Sequence, residues 1–158
     1  MRERQAVFVD SGAWIALALT RDPLHGQARE LWEKMLEMGA RLHTSIPVVL
    51  ETFTFLERNT TRDVALAWKD AIDALPRFEM LECTLNDVQK AWDYFRRKDL
   101  HKLSAVDATS FVVMTRARIR SVFTFDHHFA TAGFRFAQYQ MTGRKRFLKV
   151  HGSVRDPR

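Results

Sequence analysis

Short apolar runs alternate along the chain with longer stretches in which apolar residues recur every three or four positions. Val7-Phe-Val9, Arg41–Thr44, Arg77–Glu82, Ser121–Phe125 and Phe134–Phe136 read as strands, being brief and rich in β-branched or aromatic residues. The stretches between them read as helices. Ser11 to Leu19 forms the first. Asp22-Pro23 opens the second as N-cap and first helical residue, with Leu24, Ala28, Leu31, Trp32, Met35 and Leu36 on its apolar face and Gly39 as its stop. Ser45 caps a third helix with Pro47 in its first turn, and Thr60 or Thr61 starts a fourth that ends before Pro76. Thr84 to about Arg97 is a fifth, with Val88, Ala91, Trp92 and Phe95 on one face; the aromatic residues fall at spacings expected of core. After the basic loop RRKDLHKL, Ser104 opens a sixth helix, SAVDATSFVVMTRARI, and a turn or short helix, DHHFATAG, precedes the last strand.

Strands that alternate with helices imply an α/β fold with a mostly parallel sheet and helices on both faces. In such sheets the functional cleft lies at the carboxyl ends of the strands. Asp10 and Asp126 each follow a strand immediately. Either is explained by helix capping alone. Glu51 is not, because its helical neighbours Pro47, Val48, Thr54 and Phe55 are largely apolar. Asp107 also sits among apolar neighbours, although Ser104-Ala-Val-Asp107 reads as a capping box with Asp in place of Glu. Carboxylates gathered in one cleft repel and raise one another's pKa. A hard divalent cation, Mg2+ or Mn2+, resolves that conflict, because it prefers oxygen ligands and recruits phosphate. Such ions activate water for attack on a phosphodiester.

Charge extends this reading. The net charge of +6 favours a polyanionic partner, and residues 141–158 carry six Lys or Arg against one Asp. A domain over residues 1–140 with a basic tail over 141–158 is the expected organisation. Arg96, Arg97, Lys98 and Lys102 in the loop before the sixth helix, and Arg144, Lys145 and Arg146 in the tail, are candidate contacts to nucleic-acid phosphates. Arg116, Arg118 and Arg120 are explained by the dipole at the end of the sixth helix. One cysteine, Cys83, excludes an internal disulfide and fits a reducing cytoplasm. No apolar run approaches the roughly 20 residues of a membrane span, and no signal peptide is recognisable. His127 and His128, being adjacent, are not expected to point at one pocket, and zinc is disfavoured because no cysteine or third histidine stands at ligand spacing; contact of one of them with the substrate or with the Asp126 carboxylate stays open.

The segments VFVDSGAWIAL, DPLHGQA, LHTSIPVVLETFTFLERN, LSAVDATSFVVMTRARI and VFTFDHHFATAGF, in this order, resemble PIN-domain ribonucleases, most closely the VapC-type toxins of toxin–antitoxin pairs. The resemblance spans nearly the whole chain. It carries the family's acidic residues onto Asp10, Glu51, Asp107 and Asp126 as catalytic and metal-binding groups. Ser11 matches the small hydroxyl residue after the first Asp, and Thr124 the hydroxyl residue two positions before the last. It implies a three-layer α/β/α sandwich around a twisted sheet, Mg2+ or Mn2+ dependence, and endonucleolytic cleavage of RNA. It further implies a homodimer and a small antitoxin that inserts a segment into the cleft. The pair His127-His128 and the long basic tail depart from the pattern. The alternatives are an RNA-processing nuclease that is not a toxin, or a non-catalytic RNA-binding module of the same fold. A haloacid-dehalogenase-type phosphotransferase needs a second Asp two residues after the first, where this chain has Gly12. A receiver domain fails at Leu81-Glu82-Cys83, where no phosphorylatable Asp follows the strand.

Overall fold

The structure, a computed structural model, describes residues 3–137. Five parallel strands form one sheet in the order β3-β2-β1-β4-β5: β1 Ala6–Val9, β2 Arg41–Ser45, β3 Phe78–Leu81, β4 Ser121–Phe123 and β5 Arg135–Phe136. The helices are α1 Ser11–Ala18, α2 His25–Glu37, α3 Ile46–Asn59, α4 Arg62–Asp73, α5 Leu85–Phe95, α6 Ala105–Arg116 and α7 His128–Thr131. The sheet steps outward from β1 through β2 to β3, then returns past β1 to β4 and β5. Right-handed crossovers therefore lay α1–α4 on one face and α5–α7 on the other. The expected α/β/α sandwich is what forms, and its topological switch point lies between β1 and β4.

The two faces are closed by separate aromatic groups. On one, Trp14 meets Trp32, Trp68 and Phe78 edge-on, with centroids 5.5, 6.0 and 6.3 Å away. Its indole Nε1–H donates to Thr44 Oγ1 (3.2 Å), and the Thr44 hydroxyl donates to Val9 O (2.9 Å). This chain of bonds fixes α1 to the ends of β1 and β2, and so fixes the turn that carries Asp10. On the other face Phe111 lies 5.0 Å from Tyr94, 4.9 Å from Phe129 and 5.6 Å from Phe134. Aromatic pairs of this kind, edge-on or stacked, add to the burial energy of the rings.

Ser45, Thr61, Thr84 and Ser104 each accept a hydrogen bond from a backbone N–H in the first turn of the helix they precede. Some boundaries differ from expectation. The Asp22 side chain accepts from Leu24 N (2.8 Å), so a turn intervenes and α2 starts at His25. Strand β4 stops at Phe123 because Thr124 leaves the ladder to bond Asp10 and Asp126. Helix α6 ends at Arg116, where Arg118 adopts φ 57° in the role a glycine usually fills. The apolar stripe of α5 is not core. Ala91 is buried, but Leu85, Val88, Trp92 and Phe95 are exposed, because α5 meets α6 through a neighbouring face that includes Ala91 and Tyr94. Periodicity finds an apolar stripe but does not say which stripe meets the core. No helix among the described residues is long and apolar enough to cross a membrane.

Candidate metal centre

Asp10 occupies the N-cap position of α1, with its carbonyl accepting from Ala13 N and Trp14 N, but its side chain makes no cap bond. It turns to the switch point instead, where Oδ2 accepts the Thr124 hydroxyl at 3.0 Å. The backbone there is pinned by Asp10 N donating to Phe123 O. Thr124 Oγ1 in turn accepts from Asp126 N (3.0 Å), so one threonine orders both strand-end carboxylates. Ser11, the next residue, donates to Glu51 Oε1 at 3.3 Å and joins α1 to α3. Asp107 lies in the first turn of α6. Its backbone N–H donates to Ser104 Oγ (3.0 Å), but no bond returns from its side chain, so this capping box is half formed. The complete box is at Thr84 and Asp87.

The electrostatics follow from this crowding. Asp10 is 3% exposed and Asp107 7%. Burial, with the nearby charges of Glu51 and Asp126 adding to it, pushes the Asp10 carboxyl up to about 7, against the hydrogen bonds from the Ser11 amide and the Thr124 hydroxyl. Burial followed by the charges of Asp10 and Asp126 pushes Asp107 up to about 9, with Glu51 contributing less. Burial also raises Glu51. The four acidic residues expected to meet are therefore close enough to feel one another. Asp10 Oδ1 and Glu51 Oε2 are buried with no hydrogen-bond partner among the described residues. Orphaned acceptors in a cluster of repelling carboxylates fit a hard divalent cation, whose oxygen preference matches every donor present.

The histidine pair behaves otherwise than expected. A turn at the start of α7 stacks the two rings, with centroids 4.3 Å apart, and brings ligand atoms of Asp126, His127 and His128 together. His128 Nδ1 lies 2.7 Å from Asp126 Oδ1, and its backbone N–H donates to the same oxygen (2.9 Å). Its Nε2–H donates to the His101 carbonyl at 2.6 Å. Both ring nitrogens are thus engaged, and His128 clamps Asp126 to the loop before α6. The sequence leaves open whether one of the two histidines contacts the Asp126 carboxylate, and the structure gives that contact to His128.

The basic loop before α6 does approach the site, through that His101 carbonyl. Arg96 pairs with Asp93, and Arg97 makes a two-pronged contact with Asp99 (3.0 and 2.7 Å) and a bond to Thr131 O. Lys98 and Lys102 are exposed. Arg144, Lys145 and Arg146 lie outside the described residues. Arg116 does more than complement a helix dipole: it holds Asp87, which is 1% exposed, at 3.1 and 3.0 Å and also bonds Glu82 O. Burial opposes ionisation of Asp87, but the Thr84 amide and the Arg116 guanidinium outweigh it and hold the carboxyl below its usual range.

Residues 7–135 match the PIN domain family. The chain is 35% identical over 129 residues to the 23S rRNA-specific endonuclease VapC20 of Mycobacterium tuberculosis, covering 81% of this chain and 95% of that protein, in both strains compared. The crystal structure of M. tuberculosis VapC20, described as a sarcin-ricin loop cleaving toxin, superposes with a TM-score of 0.72 at 34% identity, again covering 81% of this chain and 95% of that one. VapBC2 from Rickettsia felis, solved bound to a promoter DNA fragment, shares the fold with a TM-score of 0.59 at 10% identity, over 84% of this chain and 96% of that one.

Proposed function

The chain belongs to the PIN domain family, and from that premise we propose that it is a metal-dependent endoribonuclease acting as the toxin of a toxin–antitoxin pair. The observation that carries this reading is the convergence of Asp10, Glu51, Asp107 and Asp126 with two orphaned, buried carboxylate oxygens. Those four residues would hold Mg2+ or Mn2+, which when bound supplies an activated water and neutralises charge on the scissile phosphodiester. Ser11 and Thr124 orient Glu51 and Asp10 through their hydroxyls. Lys98 and Lys102, with Arg96 and Arg97 as they exchange carboxylate for phosphate, would meet the RNA backbone beside the site, and Arg144, Lys145 and Arg146 would extend that contact. Identity to an rRNA-specific endonuclease supports ribosomal RNA as the substrate. The nuclease domain would span residues 1–140, with 141–158 as a basic extension, in a protein of the cytoplasm.

Two surfaces support the proposed partners. A groove of about 620 Å3 lined by Pro47, Leu50, Thr54, Phe55, Arg58 and Val106 runs up to Glu51. It suits an antitoxin segment with apolar anchors and an acidic group for Arg58. The exposed stripe Leu85, Val88, Trp92 and Phe95 on α5 suits a homodimer contact.

Cleavage of RNA by the purified protein, with Mn2+ and with EDTA, tests the activity. Asp10→Asn and Asp107→Asn should each lower the rate by more than about a hundredfold while leaving a folded chain. Undiminished cleavage by these variants would overturn the assignment.

A further inference from the structure

All five strands are parallel, so their first residues lie along one edge of the sheet, opposite the carboxylates. An arginine stands at or just before the start of every one: Arg4 before β1, Arg41 in β2, Arg77 before β3, Arg120 before β4 and Arg135 in β5. Backbone hydrogen bonds tie this row together. Arg41 N donates to Gln5 O (2.9 Å), Leu42 N to Arg77 O (2.8 Å) and Arg135 N to Arg120 O (2.9 Å). All five side chains are exposed. None is in an ion pair among the described residues. Arg4, Arg41 and Arg77 line a cleft of about 320 Å3 with His43, Phe78 and Glu79, and the Glu79 carboxylate there faces His43 at 3.5 Å.

Like charges on neighbouring strands destabilise a sheet unless something neutralises them. Five guanidiniums on one edge, none of them ion-paired among the described residues and with the Glu79 carboxylate turned to a histidine, therefore mark an anion-binding surface. Strand spacing sets its length at about 19 Å from β3 to β5, enough for several backbone phosphates. It stands about 13 Å from Asp10, the length of β1. That offset is too large for the phosphates flanking the scissile bond. A guanidinium fork also suits phosphate better than an ammonium does.

We propose that the strand-start arginines Arg4, Arg41, Arg77, Arg120 and Arg135 form a second RNA-backbone surface that grips a segment of the substrate remote from the cleavage centre. The inference rests on the ribonuclease reading and deepens it: the substrate is a folded RNA that reaches both ends of the sheet, not a short single strand.

The test compares the full-length protein with an Arg41→Gln/Arg77→Gln/Arg120→Gln variant. Binding of a labelled hairpin RNA is followed by fluorescence anisotropy in EDTA over a series of salt concentrations. The variant should bind at least about tenfold more weakly, with the slope of log affinity against log salt reduced by about two to three. With Mn2+, its KM for the hairpin should rise, while cleavage of a short single strand of the same loop sequence stays as in the parent. An unchanged salt slope, as expected if an acidic protein is the occupant, overturns the proposal. So does an equal loss on both RNAs. Binding in EDTA does not require catalysis, so a chain that binds through these arginines yet cleaves nothing would refute the nuclease reading alone. Because the exchanged side chains are exposed and repel one another, the thermal midpoint should hold or rise and not fall; an Arg4→Gln/Arg135→Gln variant, from the other strands, must show the same trend.

Discussion

The Thr124 hydroxyl donates a 3.0 Å hydrogen bond to Asp10 Oδ2 across 114 positions of sequence. The Thr124 hydroxyl oxygen in turn accepts from Asp126 N. One side chain therefore couples the ends of β1 and β4 at the place where the order of strands reverses.

Replacing this residue separates its hydroxyl from its shape. Thr124→Val keeps the volume and removes both bonds, so Mn2+ affinity measured by calorimetry should fall about tenfold or more. Thr124→Ser keeps the hydroxyl and should stay close to the parent. Equal affinity in Thr124→Val would show that the two carboxylates are held by the backbone alone.

The raised carboxyls set a pH dependence of stability in the metal-free protein. Asp10 at about 7 and Asp107 at about 9 lie above the value near 4 of an unfolded chain. Between those limits the folded state binds more protons than the unfolded one, so stability falls as pH rises. The contribution is complete below about pH 4 and is lost as pH passes through about 7 for Asp10 and about 9 for Asp107. Thermal melts in EDTA should show a midpoint that drops over this range, and Asp107→Asn should flatten the drop. Added Mn2+ should raise the midpoint more in mildly alkaline than in mildly acidic buffer, because bound metal replaces protons.

Arg116 is the partner of a buried carboxylate. Its removal in Arg116→Ala leaves Asp87 with its Thr84 contacts only. Half of the Arg116 side chain is exposed, so solvent screens part of the pair, and a loss of about 2 kcal/mol is expected by urea denaturation. Arg116→Lys should recover a part of it, since an ammonium does not reproduce the fork. No measurable loss would mean that the Thr84 cap satisfies Asp87 by itself.

Trp92 tests the proposed homodimer. It is 55% exposed and lies 5.6 Å from Phe95 along the α5 stripe. A Trp92→Glu change should shift the protein to monomer in light scattering without altering its far-UV circular dichroism, because the helix is anchored by Ala91 and Tyr94 instead. A dimer that survives the change places the interface elsewhere.

Much of the architecture was legible because local and global signals agree. Ser45, Thr61, Thr84 and Ser104 cap helices where the sequence places caps, and the order of strands and helices implies the parallel sheet. Glu51 and Asp107 stood out as charges on apolar faces. Other roles depend on partners distant in sequence. His128 is a clamp because a loop 27 positions away supplies its carbonyl partner. Arg116 reads as a helix-end cation and is also the mate of Asp87, 29 positions earlier. The α5 stripe reads as core, since amphipathic spacing carries no information about what lies opposite.

By itself, then, the sequence determined where the chain turns, which segments take up strand or helix, and which carboxylates stand in apolar surroundings. Those properties depend on residues within a few positions of one another. Tertiary structure decided what faces what: that Asp10 meets Thr124 rather than capping its own helix, that Asp126 is held by His128, and that five scattered arginines form one row. Burial and Coulomb repulsion depend on distances in space, and those distances come into being only when the sheet assembles.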